Sequence, residues 1–343
     1  MSDKKEFSVV VVGATGLVGE TMLQVLEERN FPVSDLYAVA SSRSRGKAVS
    51  FRGRTIHCRD IESFDFSQAD IGLFSPGAEV SRVYAPQAAA AGCVVIDNTS
   101  EFRYEDDVPL VVPEVNPHAV AQFKNRGIIA NPNCSTIQLV VALKPIHDAV
   151  GIERINVATY QSVSGAGREA VEELAEQSVQ LLSGKGPVTA RVVAKQIAFN
   201  CVPQIDKFQD NGYTKEEMKM VWETQKIMED KNIRVNATAV RVPVFYGHSE
   251  AVHIETSRKI SADAARALLQ KAPGVTVLDE RKPGGYPTAV TEAANHDTVY
   301  VGRIREDMSH ERGLNLWIVA DNIRKGAATN SIQIAEILVR DWI

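Results

Sequence analysis

Four cysteines stand in the 343-residue chain, and one has the setting of a nucleophile. Cys134 lies in Asn131-Pro132-Asn133-Cys134-Ser135-Thr136, directly before the apolar helical run 137–143. A cysteine at a helix start has its thiolate stabilised by the helix dipole and by free N–H groups. The same N–H groups could hold the oxyanion of a tetrahedral intermediate. The plainer reading is a small buried residue in a cap, and Cys58, Cys93 and Cys201, in apolar or strand-like settings, keep it.

A glycine turn supplies the second feature. Gly13-Ala14-Thr15-Gly16-Leu17-Val18-Gly19 separates an apolar strand from a helix, with GxxGxxG rather than the commoner GxGxxG spacing. Glycines there permit a tight turn and bring pyrophosphate close to backbone N–H groups at the helix N-terminus. Gly13, Thr15, Gly16, Leu17, Val18 and Gly19 are therefore expected to hold a dinucleotide. At the end of the second strand an NAD site would carry an acid for the ribose 2′-hydroxyl. The chain has Ser41-Ser42-Arg43-Ser44-Arg45 instead, with no acid nearby. Ser42, Arg43 and Ser44 suit a 2′-phosphate, which favours NADP over a merely solvated basic loop. Ser75-Pro76-Gly77 ends a further strand, where ligands of open α/β sheets collect, so Ser75 and Gly77 are expected to contact the cofactor.

Two more segments make the pattern specific. They are Gln161-Ser162-Val163-Ser164-Gly165-Ala166-Gly167 and Arg241-Val242-Pro243-Val244-Phe245-Tyr246-Gly247-His248-Ser249-Glu250. Together with the glycine turn and Asn-Pro-Asn-Cys-Ser-Thr, they resemble in the same order the motifs of the aspartate-semialdehyde dehydrogenases, over essentially the whole chain. The resemblance implies that Cys134 forms a thioacyl enzyme and that His248 is the general acid and base. A histidine suits both steps because its ordinary pKa is near neutrality. It further implies that Gln161 orients the thioacyl group, that Ser164 and Gly165 lie beside the nicotinamide, and that Asn322 meets its carboxamide.

The implied reaction is reductive dephosphorylation of L-aspartyl 4-phosphate by NADPH, releasing inorganic phosphate, on the way to lysine, threonine and methionine. Such a substrate needs both signs of charge. By the resemblance Arg241 grips the carboxylate with its planar fork and Glu216 pairs with the ammonium. Arg103 and Lys219 bind the phosphate, and Asn133 joins them beside the nucleophile. Spacing alone gives a blander account. Thr214-Lys215-Glu216-Glu217 fits a capping box, and Glu216 with Lys219 fits an ordinary i,i+3 pair.

Rival readings fit less well. An N-acetylglutamyl-phosphate reductase is expected to flank its nucleophile with a glycine and an aromatic residue, whereas Asn133 and Ser135 flank Cys134. The Ser-Cys-Thr context of glyceraldehyde-3-phosphate dehydrogenase and the G-x-C-x-G elbow of a hydrolase are both absent. A catalytically silent NADP-binding subunit is expected to lose its nucleophile or base, and this chain has both Cys134 and His248.

These residues need elements to position them. In the first third, strands at 7–12, 36–40, 71–74, 94–97 and 128–130 alternate with helices at 17–28 and 80–91. That alternation predicts an α/β fold with a Rossmann-type doubly wound parallel sheet. Beyond residue 132 come longer strands at 153–160, 235–242, 249–257, 299–305 and 314–321, with helices at 168–182 and about 214–229. This change predicts a second, α+β domain with a mixed sheet. The NADP-binding domain is thus expected over 1–132, rejoined by 322–343. The catalytic domain is expected over 133–321, and the resemblance implies a homodimer joined through its sheet.

Bulk properties exclude other classes. A net charge of −5 provides no basic field for nucleic acid or a membrane surface. No apolar run is long enough to span a bilayer. Scattered cysteines, with no CxxC and no clustered histidine ligands, argue against disulfides and a metal site and favour the cytoplasm.

Overall fold

The segment Phe-Ser-Val-Val-Val-Val is almost wholly apolar because its strand, β1 (Phe7–Val12), lies buried at the centre of a parallel sheet. The computed structural model describes residues 6–44 and 46–343; Arg45 lies outside them, as does the side chain of Arg43. Helix α1 (Leu17–Glu28) follows, then β2 (Val33–Ala40) and the short strands β3 (Ala48–Phe51), β4 (Arg54–His57) and β5 (Arg59–Asp60). Next come β6 (Ile71–Phe74), α2 (Ala78–Ala90), β7 (Val94–Asp97) and β8 (Ile128–Ala130). The sheet order is β5-β2-β1-β6-β7-β8 with every pairing parallel, while β3 and β4 form a separate hairpin. From β1 the chain first builds outward through β2, then crosses to β6 on the other side. That reversal makes a switch point at the C-terminal ends of β1 and β6.

The second unit begins with α3 (Cys134–Val150) and β9 (Ile152–Gln161), then α4 (Arg168–Leu182), α5 (Lys215–Ile227) and β10 (Arg234–Arg241). It continues with β11 (His248–Thr256), α6 (Ala262–Leu269), β12 (Val275–Val277), β13 (Val299–Glu306) and β14 (Gly313–Ala320). Its sheet runs β10-β9-β11-β14-β13-β12 and is mixed: β10 with β9 and β12 with β13 are parallel, the rest antiparallel. The last helix, α7 (Thr329–Asp341), returns to the first unit, where Ile332, Ile334, Ala335 and Leu338 join the core of α1 and the parallel strands.

Compact units comprise residues 1–133 with 327–343, and residues 134–326. The second crossing therefore falls at 327 rather than at 322. The physical reason is Asn322, whose side-chain oxygen accepts from Ser162 Oγ (3.0 Å), Ser164 Oγ (3.2 Å) and Gly247 N–H (2.9 Å), all in the second unit. Among the described residues no helix is long and apolar enough to cross a membrane.

Candidate active site

The first unit carries an open cleft of about 360 Å³ at the switch point. Val12 and Gly13 at the end of β1, Ala40–Ser42 and Ser44 at the end of β2, and Ser75 and Pro76 after β6 line it, with Thr15, Gly16, Val80 and Tyr84. Gly16 is the N-cap of α1, so the first N–H groups of that helix face the cleft without a side-chain cap. Gly13 has φ +83°, and a Cβ on it would stand 2.6 Å from Ser75 O. A Cβ on Gly19 would stand 2.2 Å from Gly13 O, so this glycine serves close packing of helix on loop and does not line the cleft. Leu17, Val18 and Gly77 are likewise absent from the lining; they open α1 and cap α2. Ser42, Arg43 and Ser44 form a 3₁₀ turn beside it.

One lining residue adds to the sequence reading. Glu62 stands in the cleft, although no acid is near Ser41–Arg45 in the chain. The pairing of β5 with β2, Ala40 beside Asp60, brings it there from twenty residues downstream.

In the second unit, sheet register assembles the site. Arg241 pairs with Gln161, and Ser249 with Tyr160, which sets His248 next to Gln161. The ends of β10, β9 and β11 thus present Arg241, Gln161 and His248 as one row. All three are buried. Arg241 donates through Nη1 to Ser162 O (2.7 Å). Burial lowers its pKa, offset by the charges of Glu216 and Cys134 close by. Gln161 donates to Glu216 (3.2 Å) and Thr159 (3.3 Å).

His248 has a defined tautomer. Ser162 N–H donates to Nδ1 (3.1 Å), so that nitrogen is an acceptor and the neutral ring carries its proton on Nε2. Nε2 itself is buried with no hydrogen-bond partner among the described residues. Burial and the adjacent Arg241 push the imidazole pKa down to about 3. The near-neutral value expected from sequence is therefore not what the folded chain provides: the resting ring is uncharged. A Cβ on Gly165 would stand 3.0 Å from Arg241 Nη1 and 3.4 Å from His248 Nε2, so glycine keeps the space before both groups open.

Cys134 is the first residue of α3 and is half-buried. Behind it lies Gly326, where a Cβ would come within 2.7 Å of Cys134 Cβ. Asp321 shapes this approach by accepting the N–H groups of Ile323 (2.8 Å) and Arg324 (3.0 Å). Gly326→Ala is expected to displace Cys134 and cut kcat by about 10- to 100-fold. Dinucleotide affinity, measured by fluorescence titration, should stay within about twofold.

Glu216 is buried on the first turn of α5 and accepts from Lys219 Nζ (3.0 Å). Lys219 also donates to Asp206 (3.0 Å); burial opposes its charge, but the two carboxylates outweigh that and raise its pKa. The lysine expected at the phosphate is thus committed to carboxylates. The capping box is present: Thr214 Oγ1 accepts from Glu217 N–H (3.3 Å), and Glu217 accepts from Thr214 N–H (2.7 Å). Asn322 also donates to Ser164 Oγ (3.0 Å), so its amide holds the Ser162–Ser164 turn under the histidine. In the first unit, Asn133 is buried and Arg103 donates to Asn98 O (2.8 Å).

The remaining cysteines differ in setting. Cys58 and Cys93 are buried, and burial pushes the Cys93 thiol up to about 12, whereas Cys201 is exposed. Among the described residues no cluster of His, Cys, Asp and Glu could hold a metal ion.

The family model described as the NAD binding domain of semialdehyde dehydrogenase matches residues 8–123. That described as the semialdehyde dehydrogenase dimerisation domain matches residues 143–325. A relative in Shewanella violacea named aspartate-semialdehyde dehydrogenase is 64% identical over 338 residues, 98% of this chain and 99% of its own length. The chain belongs to the aspartate-semialdehyde dehydrogenase family. Members of this family are oxidoreductases of amino-acid biosynthesis, and so is this chain. The crystal structure of aspartate semialdehyde dehydrogenase II from Vibrio cholerae, complexed with ASA, superposes with TM-score 0.97 at 60% identity, covering 99% of this chain and 100% of that one. A Candida albicans family structure with NADP superposes with TM-score 0.75 at 26% identity, over 97% and 98% of the two chains.

Within this frame the sequence reading missed Glu62, Ser162, Asp206 and Gly326. Only Ser162 had a local signal, its place inside the Gln161 segment. Strand pairing or chain reversal brings the other three into position, and spacing does not reveal either.

Proposed function

We propose that the chain reduces L-aspartyl 4-phosphate to L-aspartate 4-semialdehyde through a thioester on Cys134, with NADP as cofactor. The observation that carries this reading is the grouping of Cys134, Arg241, Gln161, Glu216 and a neutral His248 at the ends of three adjacent strands and two helices. The cleft at the α1 N-terminus fits a dinucleotide: it offers backbone N–H groups and the hydroxyls of Thr15, Ser41, Ser42 and Ser44. Ser42–Ser44 would hold the adenosine phosphate, and Ser75 the chain beyond it. NADPH, when bound, supplies the hydride.

The chain's own residues do the rest. Cys134 attacks the acyl carbon, and phosphate leaves as the C–S bond forms. Arg241 holds the substrate carboxylate, Glu216 the ammonium, and Gln161, hydrogen-bonded to Glu216, orients the acyl group. Arg103 and Asn133 serve the phosphate side, and Lys219 acts from between Glu216 and Asp206. Once hydride has reached the thioester carbon, the neutral His248 Nε2–H donates a hydrogen bond to the developing oxyanion. The oxyanion then reforms the carbonyl as the C–S bond breaks, which releases the aldehyde and restores the Cys134 thiolate. Ser164, Gly165 and Asn322 would border the nicotinamide, Gly165 by leaving room and Asn322 by fixing the turn.

Homodimer formation through the second sheet is part of this reading, because its outer face carries the exposed Tyr160 beside Trp317 and the matched family model is a dimerisation domain. Cytoplasmic residence accords with cysteines that lie scattered along the chain with no CxxC pair.

The test is NADP reduction by aspartate semialdehyde beside N-acetylglutamate semialdehyde. Turnover with the first alone, and only with phosphate, is expected. Turnover with the acetylated compound would remove the roles given to Glu216 and Arg241. Tight NADP binding with neither turned over would favour a silent binding protein.

A further inference from the structure

We infer that Glu62 is a coenzyme-selectivity residue, whose carboxylate accepts from the adenosine 2′-hydroxyl and repels a 2′-phosphate, so that the chain takes NAD as well as NADP. This rests on the dinucleotide reading of the first cleft. The argument begins with β5, which runs parallel to the last residues of β2, Val39 beside Arg59 and Ala40 beside Asp60. The chain therefore leaves β5 alongside the point where it leaves β2, which is where the adenosine ribose of a dinucleotide sits.

There Asp60 caps a 3₁₀ turn, Ile61–Ser63, by accepting Glu62 N–H at 3.2 Å. Ile61 is buried, while the Glu62 side chain stays exposed on the cleft wall. Among the described lining residues Glu62 is the one acid, and no lysine, arginine or histidine accompanies it. The hydroxyls of Thr15, Ser41, Ser42 and Ser44 accept either a ribose diol or a phosphate, so the sign of charge decides between them. A carboxylate at the end of β2 is the usual partner of the ribose diol of NAD, and Glu62 reaches that corner from the neighbouring β5. Against a 2′-phosphate it places like charges close together, which disfavours that phosphate.

The experiment measures Kd for NADP and NAD by fluorescence titration on the wild-type chain and on Glu62→Gln and Glu62→Lys, at low and high salt, with kcat/KM for both coenzymes alongside. Glu62→Gln is expected to tighten NADP about 5-fold or more while NAD weakens or holds, and Glu62→Lys to widen the gap further. The gap should shrink at high salt. A carboxylate that instead meets the adenine amino group would change both coenzymes equally, and that result, or no change in either, overturns the assignment. Failure of the wild-type chain to bind either coenzyme would reject the dinucleotide reading itself.

Discussion

Cys134→Ala is expected to lower phosphate-dependent NADP reduction by about four orders of magnitude or more, because a thioester route has no substitute for its nucleophile. The same variant should bind NADP as the wild-type chain does, since the residues lining the dinucleotide cleft all belong to the first unit. Cys134 opens α3 and Arg241 lies close enough to interact with its charge, so its removal takes away the reacting atom and leaves the surrounding charges in place. Steady-state rates and a coenzyme titration on one preparation check both halves. Retention of more than about one per cent of the rate would mean that the acyl group is carried elsewhere.

His248→Asn should have the next largest effect, a fall in kcat of about 10²- to 10³-fold, the usual range for losing a hydrogen-bond donor to a developing oxyanion. Asparagine can still accept the Ser162 N–H that now meets Nδ1, so the turn should survive. What is lost is Nε2, buried and without a hydrogen-bond partner among the described residues, with Gly165 in front of it. A second readout separates this role from simple packing. The folded imidazole has a pKa of about 3, against an ordinary 6.5, because of burial and Arg241. Between those values the unfolded chain binds a proton that the folded chain does not, so His248 costs stability as pH falls through that window. Relative to the wild type, the asparagine variant should gain about 2 kcal/mol between pH 7 and pH 5, read by urea unfolding. An unchanged difference would mean that the ring is not held neutral.

Long, patterned elements were legible from residues alone. Helices α1 and α4 run over 17–28 and 168–182 as their apolar spacing predicts, since one buried stripe per helix is a strong signal. The five long strands of the second sheet fall within one or two residues of expectation. Strand β2 begins at Val33 rather than Leu36, because exposed Ser34 and Asp35 carry no apolar mark. The hairpin of β3 and β4 and the two-residue β5 were not legible: they are short, polar-edged and defined by their partners. The site divides in the same way. Cys134 and the glycine turn announce themselves through helix-start chemistry. By contrast, the row of Arg241, Gln161 and His248 exists only in the register of three strands. The neutral state of His248 comes from burial, and no neighbour in sequence encodes it.

Burial also explains a group that the mechanism does not use. Glu250, two residues beyond His248 on the same face of β11, is fully buried, and burial raises its pKa well above the ordinary carboxyl value.

The thioester is the central claim, and a single burst tests it most directly. The chain is mixed with aspartate semialdehyde and NADP in the absence of phosphate, and both NADPH and the intact protein mass are followed. The account predicts one NADPH per site, a matching acyl adduct mapped to Cys134, and discharge of that adduct when phosphate is added. NADPH formed without an adduct, or an adduct on any other residue, would contradict it.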